Sequence, residues 1–283
     1  MKVLKYIIFS VLTFAISLTV VTAQTPGVKV STEEELKADL TTGPCENTER
    51  LEAVKALFRK MGATDADIKV ENVKAKEKDK DILNVVVTKK GKTNETVVVG
   101  AHYDKVKEGC GIIDNWSGIV ILAHMYRTLS SLETQKTYVF VAFDREEEGM
   151  KGSAAMVKAT PKETLAAYCS MVNLDAFGLG YPVILGNASS KKMVKSAEEL
   201  AEKLKAKITT VDLTGIASSD SASFKDKDVP AITLSALSNK WTEFMHSPKD
   251  KFENVIMGSV RIGYHFSMEY LKKIDAAGCS DYK

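Results

Sequence analysis

The sequence has little net charge: 39 lysines and arginines stand against 37 aspartates and glutamates, leaving +2. No electrostatic excess therefore favours nucleic acid as a partner. Past residue 21, no apolar run approaches the roughly 20 residues that a membrane-spanning helix needs. Internal repeats and low-complexity linkers are absent, so nothing divides the chain into an array. Cysteines number four and histidines four, which leaves few candidates for any site built on thiolate or imidazole.

The one long apolar run lies at the start. Lys2 and Lys5 precede it, it extends from Tyr6 to Val21, and Val21-Thr22-Ala23 ends in a small residue. This is the pattern of a secretory leader over residues 1–23, with Gln24 as the mature N-terminus and a secreted or periplasmic destination. Ser10, Thr13 and Ser17 interrupt the run and argue against a retained anchor. Residues 24–283 suffice for one core and one domain. Four cysteines in an exported chain suggest two disulfides. Three pairings are open, and the one expected is Cys45–Cys279, tying the ends, with Cys110–Cys169 bracing the site.

Ser31 or Thr32 caps a helix rich in Glu33, Glu34 and Glu35, which Gly43-Pro44 breaks. A second amphipathic stretch carries Leu51, Val54, Leu57, Phe58 and Met61 at spacings of three and four. Residues 82–87 and 96–99 read as strands joined by a polar turn over 89–95. Strands at 138–143, 171–174 and 231–234 then alternate with helices at 118–129, 165–168, 190–206 and 254–273. Nearly continuous apolar strands separated by helices predict an α/β fold. Its sheet is mixed, mainly parallel, and covered by helices on both faces.

The residues suited to chemistry fall at one place in that layout. His102 follows one strand, Glu146 and Glu147 follow the next, and Asp175 follows a third. Carboxyl ends of parallel strands share one edge of an open α/β sheet, where ligands bind. Imidazole and carboxylate together are the donors that a divalent metal takes. Asp114 opens the helix after His102. His246, before Ser247-Pro248, is a better ligand candidate than His124 or His265, which sit inside helical patterns.

The motifs Gly100-Ala101-His102-Tyr103-Asp104, Asp114-Asn115-Trp116-Ser117-Gly118 and Glu146-Glu147-Glu148-Gly149-Met150-Lys151-Gly152-Ser153 occur in that order. Asn173-Leu174-Asp175, Ser219-Asp220-Ser221-Ala222-Ser223-Phe224 and His246-Ser247-Pro248-Lys249-Asp250 follow. Together the six resemble the M28 family of zinc-dependent exopeptidases over residues 85 to 250, with the zinc-exopeptidase three-layer sandwich. The resemblance implies two Zn2+ ions bridged by Asp114, with His102 and Asp175 completing one site and Glu147 and His246 the other. Two ions about 3.5–4 Å apart need a bridging anion and jointly acidify a shared water. In that register Glu146 is the general base, Glu148 faces solvent, and Asp104 accepts the second ring N–H of His102. The Asp114–Asn115 peptide bond is expected to be cis.

The chain departs from the family at Ser221 and Met245, where many members carry a tyrosine or histidine able to support the oxyanion. Tyr103 or Tyr181 could substitute for it. The resemblance implies a di-zinc aminopeptidase that hydrolyses N-terminal residues from peptides through metal-bound hydroxide; with its leader the chain is expected to be secreted, and to act as a monomer. Its partner is a peptide with a free N-terminus, with no nucleic acid and no membrane once the leader is cleaved. Two other readings compete on the same fold: a single-zinc glutaminyl-peptide cyclotransferase and a non-catalytic binding domain. The residues around Trp241, Phe244 and Met245 suggest an apolar side-chain pocket.

Overall fold

The computed structural model describes residues 27–74 and 80–283; the expected leader, residues 1–23, lies outside them. Among the described residues, eight strands form one sheet: β1 (Ile68–Val73), β2 (Ile82–Lys89), β3 (Thr96–His102), β4 (Thr137–Phe143), β5 (Tyr168–Leu174), β6 (Val183–Leu185), β7 (Thr209–Val211) and β8 (Ala231–Ser235). Their order across the sheet is β1-β2-β4-β3-β5-β8-β6-β7. The central four, β4, β3, β5 and β8, run parallel. β2 is antiparallel to β4 and to β1, and β6 to β8.

The helices are α1 (Glu33–Leu40), α2 (Asn47–Lys60), α3 (Ser117–Ser130), α4 (Lys151–Ala159), α5 (Lys162–Ala167), α6 (Lys191–Leu204), α7 (Ser221–Lys225) and α8 (Met257–Ala276). Side chains on successive strand residues point to opposite faces, and the core divides accordingly. Val97, Val99 and Ala101 of β3 pack with α1, α2, α3, α6 and α8, whereas Val98 packs with α4 and α7. The expected three-layer α/β architecture is present. Thr32, not Ser31, caps α1, in a reciprocal capping box with Glu35.

Several features were not legible as expected. The polar segment 89–95 connects β2 to β3, but β4 lies between those strands. Six of the seven β4 residues are buried, and a central position covers both of its faces. β1 carries no apolar run because its residues are largely exposed, and β6 and β7 are too short for one at three residues each. Neither α4 nor α7 is among the helices that the sequence pattern predicts.

The disulfides correct the expected pairing: Cys45 bonds Cys110, and Cys169 bonds Cys279. Cys169 is the second residue of β5, and Asp175 follows its last. Six residues of strand place them about 20 Å apart, so Cys169 cannot brace the site. It lies at the opposite edge of the sheet, where the segment after α8 ends. Cys45 precedes α2, whose Arg50 donates to the Cys110 carbonyl at 2.6 Å and so holds the two loops together.

Candidate active site

The ends of β3, β4 and β5 converge as their sequence positions imply. His102 is the last residue of β3, and its Nε2 lies 3.1 Å from Asp114 Oδ1 and 3.6 Å from Asp175 Oδ1. His246 approaches from the loop before α8, with its Nε2 3.2 Å from Asp114 Oδ2 and 3.0 Å from Glu147 Oε2. Asp114 thus stands between two imidazole–carboxylate pairs, with one oxygen toward each. All five expected ligand residues are brought together.

Asp114 is held from three sides. The carboxylate of Asp250 accepts the backbone N–H of Ile113 at 2.7 Å and of Asp114 at 3.1 Å. The Asp114–Asn115 peptide bond is cis, as expected. The Asn115 side chain donates to Leu174 O and accepts from Gly118 N and Ala176 N, tying the Asp114 loop to the end of β5. A Cβ at Gly118 would lie 2.6 Å from Leu174 O, so only glycine permits α3 this close an approach. Gly111, at φ +58, turns the chain where a Cβ would meet Arg50 and Asp114 O at 2.9 Å.

Asp104 lies against the expected ring nitrogen of His102, where its backbone carbonyl is nearer than its carboxylate. His102 Nδ1 lies 3.2 Å from the Asp104 carbonyl and 3.4 Å from its Oδ1. The same carboxylate accepts the backbone N–H groups of Glu146 at 2.9 Å and Glu147 at 3.1 Å. One aspartate therefore sets the His102 ring and the loop that carries both glutamates. On the other flank Ser219 Oγ donates to Asp175 Oδ2 at 2.5 Å and accepts from Asn173 Nδ2.

Sequence reading passed over Arg50. Its fully buried guanidinium donates to the carbonyls of Pro44, Tyr103, Cys110 and Gly111. Burial lowers its pKa to about 10, against the pull of Asp250, Asp104, Asp114 and Glu147, so it stays charged at neutral pH. No local pattern marks it; only the loops that it ties together do. Glu148, expected to face solvent, is half exposed and paired with Arg145 and Lys151. Neither tyrosine considered as an oxyanion donor reaches the cluster. Tyr103 is buried with its hydroxyl on Leu83 O, and Tyr181 is exposed beneath Lys207. His124 is buried between Ser31 and Asp39, and His265 lies on the surface of α8, so neither competes with His246.

The electrostatics match a cation site. Burial works against charge on His102, but Glu146, Asp104, Asp114 and Asp175 hold its pKa well above the usual imidazole value. Hydrogen bonds to Asp114 and Glu147 push His246 up to about 10. Burial raises Glu146 well above the carboxylate range; His102 opposes this, while Asp220, Asp175 and Asp114 add to it. Burial also lifts Asp220 to about 7. Glu147 Oε1 and Asp175 Oδ1 are buried without a hydrogen-bond partner. Ligand atoms of His102, Asp114 and Glu147 lie within 4.8 Å of one another. Two imidazoles and three carboxylates, two of which keep an oxygen without a hydrogen-bond partner, fit zinc.

Metal uptake must then displace protons, because zinc binds neutral imidazole. Binding at pH 7 is expected to release at least two protons, one from each histidine and the rest from the raised carboxyls of Glu146 and Asp220, and the apparent affinity should weaken as pH falls. Calorimetry in buffers of different ionisation enthalpy reads that number; release near zero would show that the imidazoles are already neutral. In the metal-free protein the His246 pairing has the opposite sign. It stabilises the fold fully below its unfolded pKa of 6.5, and that contribution is lost as pH rises through about 10.

The chain is similar to several known proteins. Aminopeptidase YwaD of Bacillus subtilis is 27% identical over 184 residues, 62% of this chain and 40% of that protein. The chain thus spans less than half the length of that relative. Among solved structures, BSAP, a zinc aminopeptidase from Bacillus subtilis, superposes with a TM-score of 0.61 at 23% identity, covering 71% of this chain and 54% of that one. An Acidobacteriales bacterium glutaminyl cyclase superposes with a TM-score of 0.75 at 15% identity, covering 90% and 98%. These two likenesses establish the fold. The sequence profile of Peptidase family M28 matches residues 84–265, a span that includes every residue of the cluster, and the chain belongs to that family.

Proposed function

We propose that this protein is a zinc-dependent aminopeptidase that hydrolyses the N-terminal residue from peptides with a free α-amine. The Asp114 carboxylate carries the reading. Each of its oxygens faces a separate imidazole and a separate second carboxylate, which suits two cations rather than one. Zinc in such a pair supplies Lewis acidity, acidifying water and polarising the scissile carbonyl. Glu146 accepts the proton of the attacking water and returns it to the leaving amine. Asp104 holds Glu146 and Glu147 in place through their backbone amides. Glu146 and the cluster's carboxylates attract the substrate's α-ammonium, which orients its first peptide bond toward Glu146. Two disulfides favour an oxidising compartment outside the cytoplasm, where the protein acts as a monomer.

Metal content per chain, measured with leucine p-nitroanilide turnover before and after chelation, tests the proposal. The expected result is two zinc ions and activity that zinc restores. One observation favours a second reading, a single-zinc glutaminyl-peptide cyclotransferase: the match to nearly the whole length of a cyclase structure. One zinc per chain, no anilide hydrolysis and cyclisation of N-terminal glutamine would replace the first reading with the second.

A further inference from the structure

Two cavities lie side by side next to the cluster. The smaller, about 40 Å3, opens beside Asp175 between Leu185, Leu213, Leu237, Trp241 and Met245. The larger, about 580 Å3, is lined by Tyr181, Lys207 and Val211 together with the same Leu213, Leu237 and Trp241. Three side chains therefore wall both spaces, and the indole of Trp241 is the largest of them. The larger cavity has the size of an ordinary ligand pocket, yet the smaller is the one that touches a candidate metal ligand.

We propose that Trp241 is a specificity-determining partition. It confines the substrate's first side chain to the small cavity beside Asp175, so that short aliphatic residues are accepted and aromatic ones refused. The inference rests on the aminopeptidase reading. A water-sized group needs roughly 10–15 Å3 of such volume, so the small cavity takes about three or four heavy atoms. The isopropyl group of valine and the isobutyl group of leucine fit; benzyl and indolylmethyl do not. The walls are apolar apart from Asp175, Ser218 and Ser235, so a hydrocarbon side chain strands few polar groups.

Trp241 is also fixed in place. It begins a short helical turn, Trp241–Glu243, and its carbonyl accepts from the N–H groups of Phe244 and Met245 at 3.0 Å. With Phe244 and Met245 it packs on Ile113 and Ala176, the neighbours of Asp114 and Asp175. The partition and the cluster thus share one apolar support, and truncating the indole opens the small cavity into the large one.

The test compares kcat/KM for leucine and phenylalanine p-nitroanilides on the zinc-loaded full chain. Wild type is expected to prefer leucine by at least tenfold. In Trp241→Ala the phenylalanine-to-leucine ratio should rise tenfold or more, chiefly through KM, with Trp241→Phe in between. Binding supplies an independent readout, because Trp241 is one of only two tryptophans and the other, Trp116, is buried. Leucinol should shift the indole emission of wild type, phenylalaninol at the same concentration should not, and Trp241→Ala should show no response. Equal kcat/KM for both anilides in wild type, or an unchanged ratio in metal-loaded Trp241→Ala, overturns the partition. Should wild type cleave neither anilide, the aminopeptidase reading fails. The emission titration then decides the partition by itself: discrimination between the amino alcohols supports it, and equal responses overturn it.

Discussion

Glu146→Gln is expected to keep two zinc ions per chain while losing about 10²–10⁴-fold in leucine p-nitroanilide turnover, the usual worth of a positioned acid–base group. The substitution isolates the proton-transfer role. The backbone N–H of residue 146 still donates to Asp104, so the loop and Glu147 stay in place. The amide has nearly the shape of the acid but cannot take a proton. In the metal-free site burial raises the Glu146 carboxyl, with His102 opposing and Asp220, Asp175 and Asp114 adding to it. Metal analysis and turnover on one preparation give the answer. Activity within tenfold of wild type would place the base elsewhere, with Asp220 the first alternative to test. Loss of a zinc ion would make Glu146 a ligand instead.

The second large effect is on stability. Arg50→Met is expected to destabilise the fold by about 3–5 kcal/mol, the range for removing one partner from a buried charged network. Methionine fills much of the space but leaves the carbonyls of Pro44, Tyr103 and Cys110 without the guanidinium donor, while Gly111 O keeps the N–H of Trp116. An unsatisfied buried group costs about 1–3 kcal/mol. The change also removes the cation that offsets Asp250, Asp104, Asp114 and Glu147. For a chain of this size the melting midpoint should fall by roughly 10 °C, and zinc should bind more weakly because the Asp114 loop loses an anchor. Thermal melts with and without zinc measure both effects. A loss below about 1 kcal/mol would mean that water replaces the guanidinium at those carbonyls.

Much of the site is legible in the sequence, because its chemistry is concentrated at strand ends. An apolar strand ending in His102, another followed by Glu146 and Glu147, and a third followed by Asp175 must share an edge if the strands are parallel and adjacent. β4, β3 and β5 are both. The supporting groups are less legible. Asp250 lies inside a recognisable motif, but nothing local says that its carboxylate caps the Asp114 loop. Arg50 carries no local mark, since its acceptors lie up to 61 residues away.

The disulfides show the same boundary most sharply. The sequence determined that four cysteines were available, that strands alternate with helices, and which acids and histidines could meet a metal. Residue type and periodicity act over a few positions, and those facts are local. Only the tertiary structure decided that β4 separates β2 from β3, that Cys45 meets Cys110, and that Trp241 lines two neighbouring cavities. Each of these depends on which distant segments pack together, a choice made by burial summed over the whole core and written in no single stretch of chain.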